Sequence, residues 1–172
     1  MTTEFSRPLH DWSAAELSRA YRQGTLSPVE ATQAVIDRIE RWEPQLQATY
    51  LCRPEAALEQ ARASEARWRR GEALGPLDGV PGTLKENIAT AGDPMPAGTA
   101  AVALRPAAQD APPAARLKEA GMVLVSKTTM PDYGMLSSGL SSFHRLARNP
   151  WDLTRTPGGS SAGAGAAAAA GY

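Results

Sequence analysis

A predicted helix that leads directly into an unbroken apolar segment limits the fold of this sequence more than any other feature. Residues 112–120 are predicted to form the helix, and residues 122–125, Met-Val-Leu-Val, are apolar without alternation. A short run of this kind is typical of a strand that is buried on both faces of a parallel sheet. Residues 48–51 form a second apolar segment, which the sequence leaves open as a strand or a simple tether. The alternation of helix and strand predicts an α/β fold.

Three helices are predicted near the N-terminus. Ser-Ala-Ala-Glu at residues 13–16 and Ser-Pro-Val-Glu at residues 27–30 are capping boxes, in which a serine and a glutamate satisfy free N–H groups at the start of a helix. The first helix is predicted to end at Gly24. The second is predicted to end at Pro44, because proline lacks the N–H that continues a helix. A third amphipathic helix is predicted over residues 55–70.

Charge and cysteine content exclude several classes of partner. The 172 residues carry 18 Lys plus Arg and 18 Asp plus Glu, so the formal net charge is zero, and the chain offers no positive field to a nucleic acid or an anionic membrane. One cysteine, Cys52, and two histidines, His10 and His144, are too few for a structural zinc site. The first twelve residues lack the apolar core of a signal peptide. We therefore expect a cytoplasmic protein without a metal and without a nucleic-acid or membrane partner.

Lys85 is a candidate general base. It ends a short segment that is predicted to be a buried strand, near the apolar residues Val80, Leu84 and Ile88. A lysine ammonium that loses its hydration in such surroundings gives up its proton more readily, which suits a base. Most lysines are instead solvated surface charges. Lys127, which closely follows the Met-Val-Leu-Val segment, is an equally good candidate for a buried amine.

The motif Gly-Gly-Ser-Ser-Ala-Gly at residues 158–163 has three interpretations. The first is an ordinary serine-capped helix start, which the Ala and Gly residues of 162–171 would continue as a closely packed helix. The second is a dinucleotide fingerprint over residues 163–168, a weak match because no apolar strand precedes it. The third is a serine hydroxyl that works with a neutral lysine in acyl transfer. The motif alone leaves all three open.

Four ordered blocks of the sequence together resemble the amidase signature family. They are Gly-Pro-Leu-Asp-Gly-Val-Pro at 75–81 with Lys-Glu-Asn at 85–87, Lys-Thr-Thr-Met-Pro at 127–131, Asn-Pro-Trp-Asp at 149–152, and Pro-Gly-Gly-Ser-Ser-Ala-Gly at 157–163. The resemblance implies the N-terminal portion of the amidase signature fold, an α/β fold with a mixed central sheet flanked by helices. Residues 1–72 would be a helical region, and residues 73–172 the start of the core of a single amidase domain. The implied reaction cleaves the C–N bond of a carboxamide through an acyl-enzyme and needs no cofactor.

The Ser-cisSer-Lys triad of that family implies roles for particular residues. Its lysine corresponds to Lys85, and its bridging serine corresponds to Ser160, which would follow a cis peptide bond after Gly159. The positions that correspond to substrate contacts are Gly134, Met135, Leu136 and Ser161. Two positions depart from the family pattern, because Gly82 stands where a bulkier apolar residue is usual and Glu86 replaces the commoner aspartate.

The nucleophilic serine of the family lies further along the chain than Tyr172, the last residue of this sequence. The resemblance therefore implies that the 172 residues are inactive alone, and that the substrate is a small-molecule amide. A homodimer or a complex with a complementary fragment is the expected assembly. The alternative is a non-catalytic half-domain that assembles with such a fragment through its open sheet edge and apolar faces.

Overall fold

Residues 7–172, the part of the chain that the computed structural model describes, form five α-helices and three β-strands. After a 3-10 turn at Leu9–Asp11, the elements are α1 (Ala14–Gln23), α2 (Pro28–Leu46), β1 (Thr49–Cys52), α3 (Pro54–Arg70), β2 (Pro81–Lys85), α4 (Pro112–Glu119), β3 (Val123–Thr128) and α5 (Ala162–Ala170), with a second 3-10 turn at Asp132–Gly134. Residues 1–6, part of the segment expected to lack a signal peptide, lie outside the described residues. None of the described helices is both long and apolar enough to span a bilayer.

The three strands form one mixed sheet in the order β1-β3-β2. β2 runs parallel to β3, and β1 runs antiparallel to it. The predicted α/β fold with a mixed sheet is therefore confirmed, and the segment at 48–51 contributes to a strand rather than forming a tether. The parallel pairing places Lys85 opposite Thr128, where both strands end.

The first two helices begin where the sequence predicted, because both capping boxes form. In α1 the Glu16 amide donates to Ser13 Oγ at 3.3 Å, and the Ser13 amide donates to the Glu16 carboxylate at 2.7 Å. Ser27 and Glu30 make the same pair of bonds at the start of α2. These local bonds satisfy N–H groups that the first turn of a helix leaves free.

The prediction that α2 ends at Pro44 is wrong, because the helix continues to Leu46. A proline in the last turn removes only its own N–H from the helix, and the Gln47 amide still closes that turn by donating to the Glu43 carbonyl at 3.0 Å. The extra residues bring Leu46 into the core, where it is fully buried. Burial of a leucine offsets the cost of the missing hydrogen bond.

The sheet is packed against α2 and α3. Ile36, Ile39 and Ala57 lie with Val123 and Val125 of β3 in one buried cluster. The apolar run that predicted β3 therefore provides the contact between sheet and helices. The small side chains of α5 pack near the end of α2 in a second cluster, as expected for a closely packed Ala/Gly helix.

Candidate active site

Lys85 and Ser160, which are 75 residues apart in the sequence, are in direct contact. Lys85 is the last residue of β2, and its Nζ donates to Ser160 Oγ at 2.9 Å. The Gly159–Ser160 peptide bond is cis. Ser161 Oγ accepts a second hydrogen bond from the same nitrogen at 3.2 Å. The Lys85 amine therefore lies within proton-transfer distance of two hydroxyls.

Ser161 occupies the N-cap position of α5, but its side chain makes no capping bond to the helix. Its hydroxyl accepts from Lys85 instead. The interpretation of the motif as an ordinary serine-capped helix start is therefore wrong for the side chain, although the helix begins at this point. Gly163, which the dinucleotide interpretation used, has a packing role, since a Cβ there would lie 2.1 Å from the Ala48 carbonyl oxygen.

The four predicted substrate-contact residues differ in how close they lie to Ser160 and its neighbour Gly159. Gly134 is close, because a Cβ built on it would lie 3.8 Å from Ser160 Oγ. Leu136 approaches through its backbone, and its carbonyl oxygen would lie 2.6 Å from a Cβ on Gly159. The side chain of Met135 lies in solvent, with that residue 82% exposed. The structure therefore brings Gly134, Leu136 and Ser161 to the Lys85–Ser160 pair, and leaves the Met135 side chain outside it.

Lys127 is the more deeply buried of the two candidate lysines. Lys85 is only partly buried, so it keeps some of the solvent contact that its apolar sequence neighbours were expected to remove, whereas Lys127 is 5% exposed. The Lys127 Nζ donates to Thr90 Oγ1 at 2.6 Å and to the Ile88 carbonyl oxygen. Burial lowers the pKa of Lys127, and nearby carboxylates partly oppose that shift. The Lys127 amine therefore holds the segment after β2 and does not contact the serines.

Sequence reasoning did not identify a buried acid–base pair beside this site. Glu86, the residue after Lys85, is fully buried, and its Oε2 lies 2.8 Å from His144 Nε2. The two residues are 58 positions apart, so no local spacing could have paired them. The replacement of aspartate by glutamate at position 86 was the only signal in the sequence. Within residues 7–172, no group of three or more His, Cys, Asp or Glu side chains is arranged to hold a metal ion.

The second departure from the family pattern, Gly82, is compensated by a neighbouring side chain. A Cβ on Gly82 would lie 1.9 Å from the terminal methyl carbon of Met122. Met122 therefore fills the space that a larger residue at position 82 would need. Gly82 still pairs with Leu124, so β2 keeps its place in the sheet and delivers Lys85 to its end.

The sequence of this chain is similar to sequences of known proteins. A sequence model of the family described as Amidase matches residues 30–172. The chain is 43% identical over 163 residues to a subunit of the glutamyl-tRNA(Gln) amidotransferase of Chloroflexus aggregans, and 46% identical over 163 residues to the corresponding subunit of Moorella thermoacetica. Each alignment covers 95% of this chain, but 33% and 34% of the respective relative. The chain therefore spans about a third of the length of these relatives.

A solved structure shares the fold. The peptide amidase of Stenotrophomonas maltophilia superposes with a TM-score of 0.80 and is 33% identical in sequence. The superposition covers 91% of this chain and 33% of the peptide amidase chain. The covered share of the peptide amidase is therefore close to the covered share of the two amidotransferase subunits.

Proposed function

The chain belongs to the amidase family, and on this premise we propose that Lys85 and Ser160 serve to cleave the C–N bond of a carboxamide. The observation that carries the proposal is the 2.9 Å contact between Lys85 Nζ and Ser160 Oγ. The names of its relatives, which include a peptide amidase and part of an amidotransferase, support chemistry at an amide. The protein is proposed to act in the cytoplasm and without a cofactor.

In the proposed reaction the two residues relay one proton. Neutral Lys85 takes the proton of the Ser160 hydroxyl, and Ser160 takes that of a third serine, whose oxygen attacks the amide carbonyl carbon. The C–N bond then breaks, and the relay returns the proton to the leaving nitrogen. The acyl group stays on the third serine as an ester. Water then attacks this ester and releases a carboxylic acid and the free serine.

Four residues are proposed to contact a small-molecule amide substrate: Gly134, Met135, Leu136 and Ser161. The proximity of Gly134 to Ser160 supports this assignment, because the absence of a side chain there leaves space in front of the hydroxyl. Exposed side chains at Met135 and Leu136 provide apolar surface that an acyl group can cover.

The third serine is proposed to lie outside residues 1–172, so a protein made of these residues alone is expected to have no amide turnover. The expected rate for simple aliphatic and aryl amides equals the buffer rate, and Ser160→Ala leaves it unchanged. Turnover by the chain that Ser160→Ala abolishes would overturn this proposal and make Ser160 the nucleophile.

A chimera tests the catalytic roles directly. Residues 1–172 would be joined to the remaining two-thirds of the Moorella thermoacetica relative, and amide hydrolysis by the fusion would be measured. Lys85→Ala and Ser160→Ala are each expected to reduce the rate by about 100-fold or more, the scale of general acid–base catalysis. Lys118→Ala is the matched control, because Lys118 pairs with Asp110 at 2.8 Å on the surface. A chimera that keeps its full rate without the Lys85 amine would contradict the proposal.

The second candidate function is that of a non-catalytic half-domain. It is favoured by large apolar side chains that are exposed in the part of the chain after Asp132. They are Tyr133, Met135, Leu136, Leu140, Trp151 and Leu153. Since the chain spans about a third of its relatives, the proposed occupant of this surface is a complementary fragment of the amidase fold. In size-exclusion chromatography the chain alone is expected to self-associate or aggregate, and the added C-terminal fragment of the Moorella thermoacetica relative is expected to yield a one-to-one complex. A clean monomer that ignores the fragment would contradict this candidate.

A further inference from the structure

The position of Lys85 depends on the tight turn that follows it. The Ile88 amide donates to the Lys85 carbonyl at 3.0 Å and closes this turn, with Glu86 and Asn87 at its corner. The Glu86 amide donates to the Thr128 carbonyl at 3.0 Å, which extends the pairing of β2 with β3. Whatever fixes the corner of this turn therefore also fixes the point from which the Lys85 side chain leaves the sheet.

Among residues 7–172, one side chain, that of His144, is hydrogen-bonded to the Glu86 carboxyl. Glu86 is fully buried, and its Oε2 lies 2.8 Å from His144 Nε2. Its Oε1 is also buried and has no hydrogen-bond partner among the described residues. Removing the partner of an acidic group that is buried in this way strongly destabilises the folded state. The orientation of the Glu86 side chain therefore depends on His144.

His144 belongs to a segment that also touches the peptide bond before Ser160. We call residues 135–147 the bridging loop. At one end of this loop the Ser138 amide nitrogen and the Leu136 carbonyl oxygen pack so closely on Gly159 that a Cβ there would lie 2.5 and 2.6 Å from them. At the other end lies His144. The bridging loop thus contacts the residue before Ser160 and the residue after Lys85.

The imidazole of His144 is itself held in place. Its backbone amide donates to Ser141 Oγ at 2.8 Å. Its ring packs edge-on against the rings of Phe143 and Tyr50, with centroid distances of 5.0 and 5.2 Å. The side chain is 6% exposed. A side chain this constrained can transmit the position of the bridging loop to Glu86.

We propose that His144 is a positioning residue, which holds Lys85 against Ser160 by tying the bridging loop to the Glu86 carboxyl. The inference rests on the proposed function of Lys85 and Ser160. It adds that the contact between those two residues depends on the Glu86–His144 pair, which is bonded through different side chains. The pair sets the end of β2 relative to the Gly159–Ser160 peptide, and it takes no part in proton transfer.

The lysine content of the chain permits a direct test in the intact 172-residue protein. The sequence has three lysines, Lys85, Lys118 and Lys127, so trace acetylation followed by mass spectrometry gives the reactivity of Lys85 relative to the surface residue Lys118. We call this quantity the Lys85-to-Lys118 reactivity ratio. The Ser160→Ala variant gives its value for a Lys85 that has lost its nearest hydroxyl. His144→Phe keeps an aromatic ring between its neighbours and removes the bond to Glu86. We expect it to move the ratio severalfold from the wild-type value towards that of Ser160→Ala.

Three further variants separate positioning from general stability. His144→Gln restores an amide N–H that can donate to Glu86, and it is expected to return the ratio to the wild-type value. The double variant Glu86→Leu, His144→Phe removes both partners and leaves no buried charge, so it should fold even if His144→Phe does not, and its ratio should remain displaced. His10→Phe, at the other histidine, should leave the ratio unchanged.

The outcomes are distinct from those of the amide-hydrolysis experiments. A wild-type ratio in folded His144→Phe or in the double variant would overturn the positioning role. A Ser160→Ala ratio equal to wild type would overturn it as well, because Lys85 would then not be held by Ser160. An inactive chimera would count against the amidase proposal and leave the lysine ratios as they are, so the two failures can be told apart.

Discussion

At the scale of single residues, Asp78 carries the most deeply buried carboxylate with a full set of partners. Asp78 is 0% exposed. The Arg67 guanidinium donates two hydrogen bonds to its carboxylate, from Nη2 to Oδ1 at 2.5 Å and from Nε to Oδ2 at 2.9 Å. The Leu74 amide also donates to Oδ2 at 2.9 Å. This bidentate Arg67–Asp78 pair connects the end of α3 to the segment that leads into β2. It is therefore a stability contact that lies outside the candidate active site.

Replacing Arg67 by methionine is expected to lower the free energy of unfolding by about 3–5 kcal/mol, because the Asp78 carboxylate would stay buried without its charge partner. Arg69→Met is the matched control. The Arg69 side chain is 74% exposed and pairs with Glu65 at 3.2 Å, so its loss should cost at most about 1 kcal/mol. Urea unfolding at pH 7 measures both changes. Similar losses in the two variants would contradict the assignment.

The same pair predicts a pH dependence. Burial alone would raise the pKa of Asp78, but the bonds from Arg67 and Leu74 outweigh burial and hold the pKa below its usual value. A carboxyl with a lower pKa in the folded state stabilises the fold above its unfolded pKa, and this contribution is lost as pH falls through the folded pKa. We expect the unfolding free energy to decrease as pH falls below about 4. Arg67→Met should lose less than wild type over that range, and an equal or larger loss would show that the pair is not the cause.

Single residues of the candidate site could be predicted from their neighbours only in part. Apolar neighbours made Lys85 and Lys127 equal candidates. The family resemblance then selected Lys85 and related it to Ser160, which is 75 residues away. Burial was harder to predict, because apolar neighbours surround both lysines in the sequence and the fold buries Lys127 more deeply. His144 carried no local signal, because its partner is on another segment.

At the scale of elements, α5 shows how much two glycines in one helix can differ. A Cβ on Gly163 would lie 2.1 Å from the Ala48 carbonyl oxygen and 2.4 Å from the Thr129 amide nitrogen, both backbone atoms that cannot move aside. Gly165 has nothing within 4 Å of such a Cβ. The first glycine permits the helix to approach the sheet, and the second only weakens the helix.

Alanine at the two positions is therefore expected to have opposite effects. Gly163→Ala should lower the free energy of unfolding by about 1–3 kcal/mol or more, the cost of overpacking. Gly165→Ala should raise it by about 0.5–1 kcal/mol, because alanine favours the helix over glycine. Thermal unfolding followed by circular dichroism compares them. A stabilised Gly163→Ala would show that α5 does not lie so close to the sheet.

Elements were predictable from sequence where their signals are local. Both capping boxes lie within four residues of chain, and each gave the correct helix start. The end of α2 was missed because burial of Leu46, a tertiary effect, extends the helix past Pro44. The segment that became β1 was ambiguous because its strand character comes from pairing with β3, which lies more than seventy residues later in the chain.

At the scale of the whole molecule, the sheet joins the two regions that the sequence separated. β1 lies within residues 1–72, yet it pairs with β3, which lies within residues 73–172. Val125 of β3 is 1% exposed and packs in one cluster with Ile36 of α2 and Ala61 of α3. Neither region can therefore bury its apolar surface without the other, and the described chain should unfold as one cooperative unit.

A substitution in one region should consequently be detected by probes in the other. In a Trp151→Phe background, all remaining tryptophans lie within residues 1–72. Val125→Ala is expected to lower the unfolding free energy that their fluorescence reports by about 2 kcal/mol, because it removes buried methyl groups and leaves a cavity. Leu104→Ala is the control, since Leu104 is 48% exposed, and it should leave the transition unchanged. If the tryptophan signal kept its midpoint in Val125→Ala while the ellipticity of the sheet shifted, the helical region would be folding on its own. The pairing of β1 with β3 would then be a consequence of two folded regions meeting rather than the contact that makes them one.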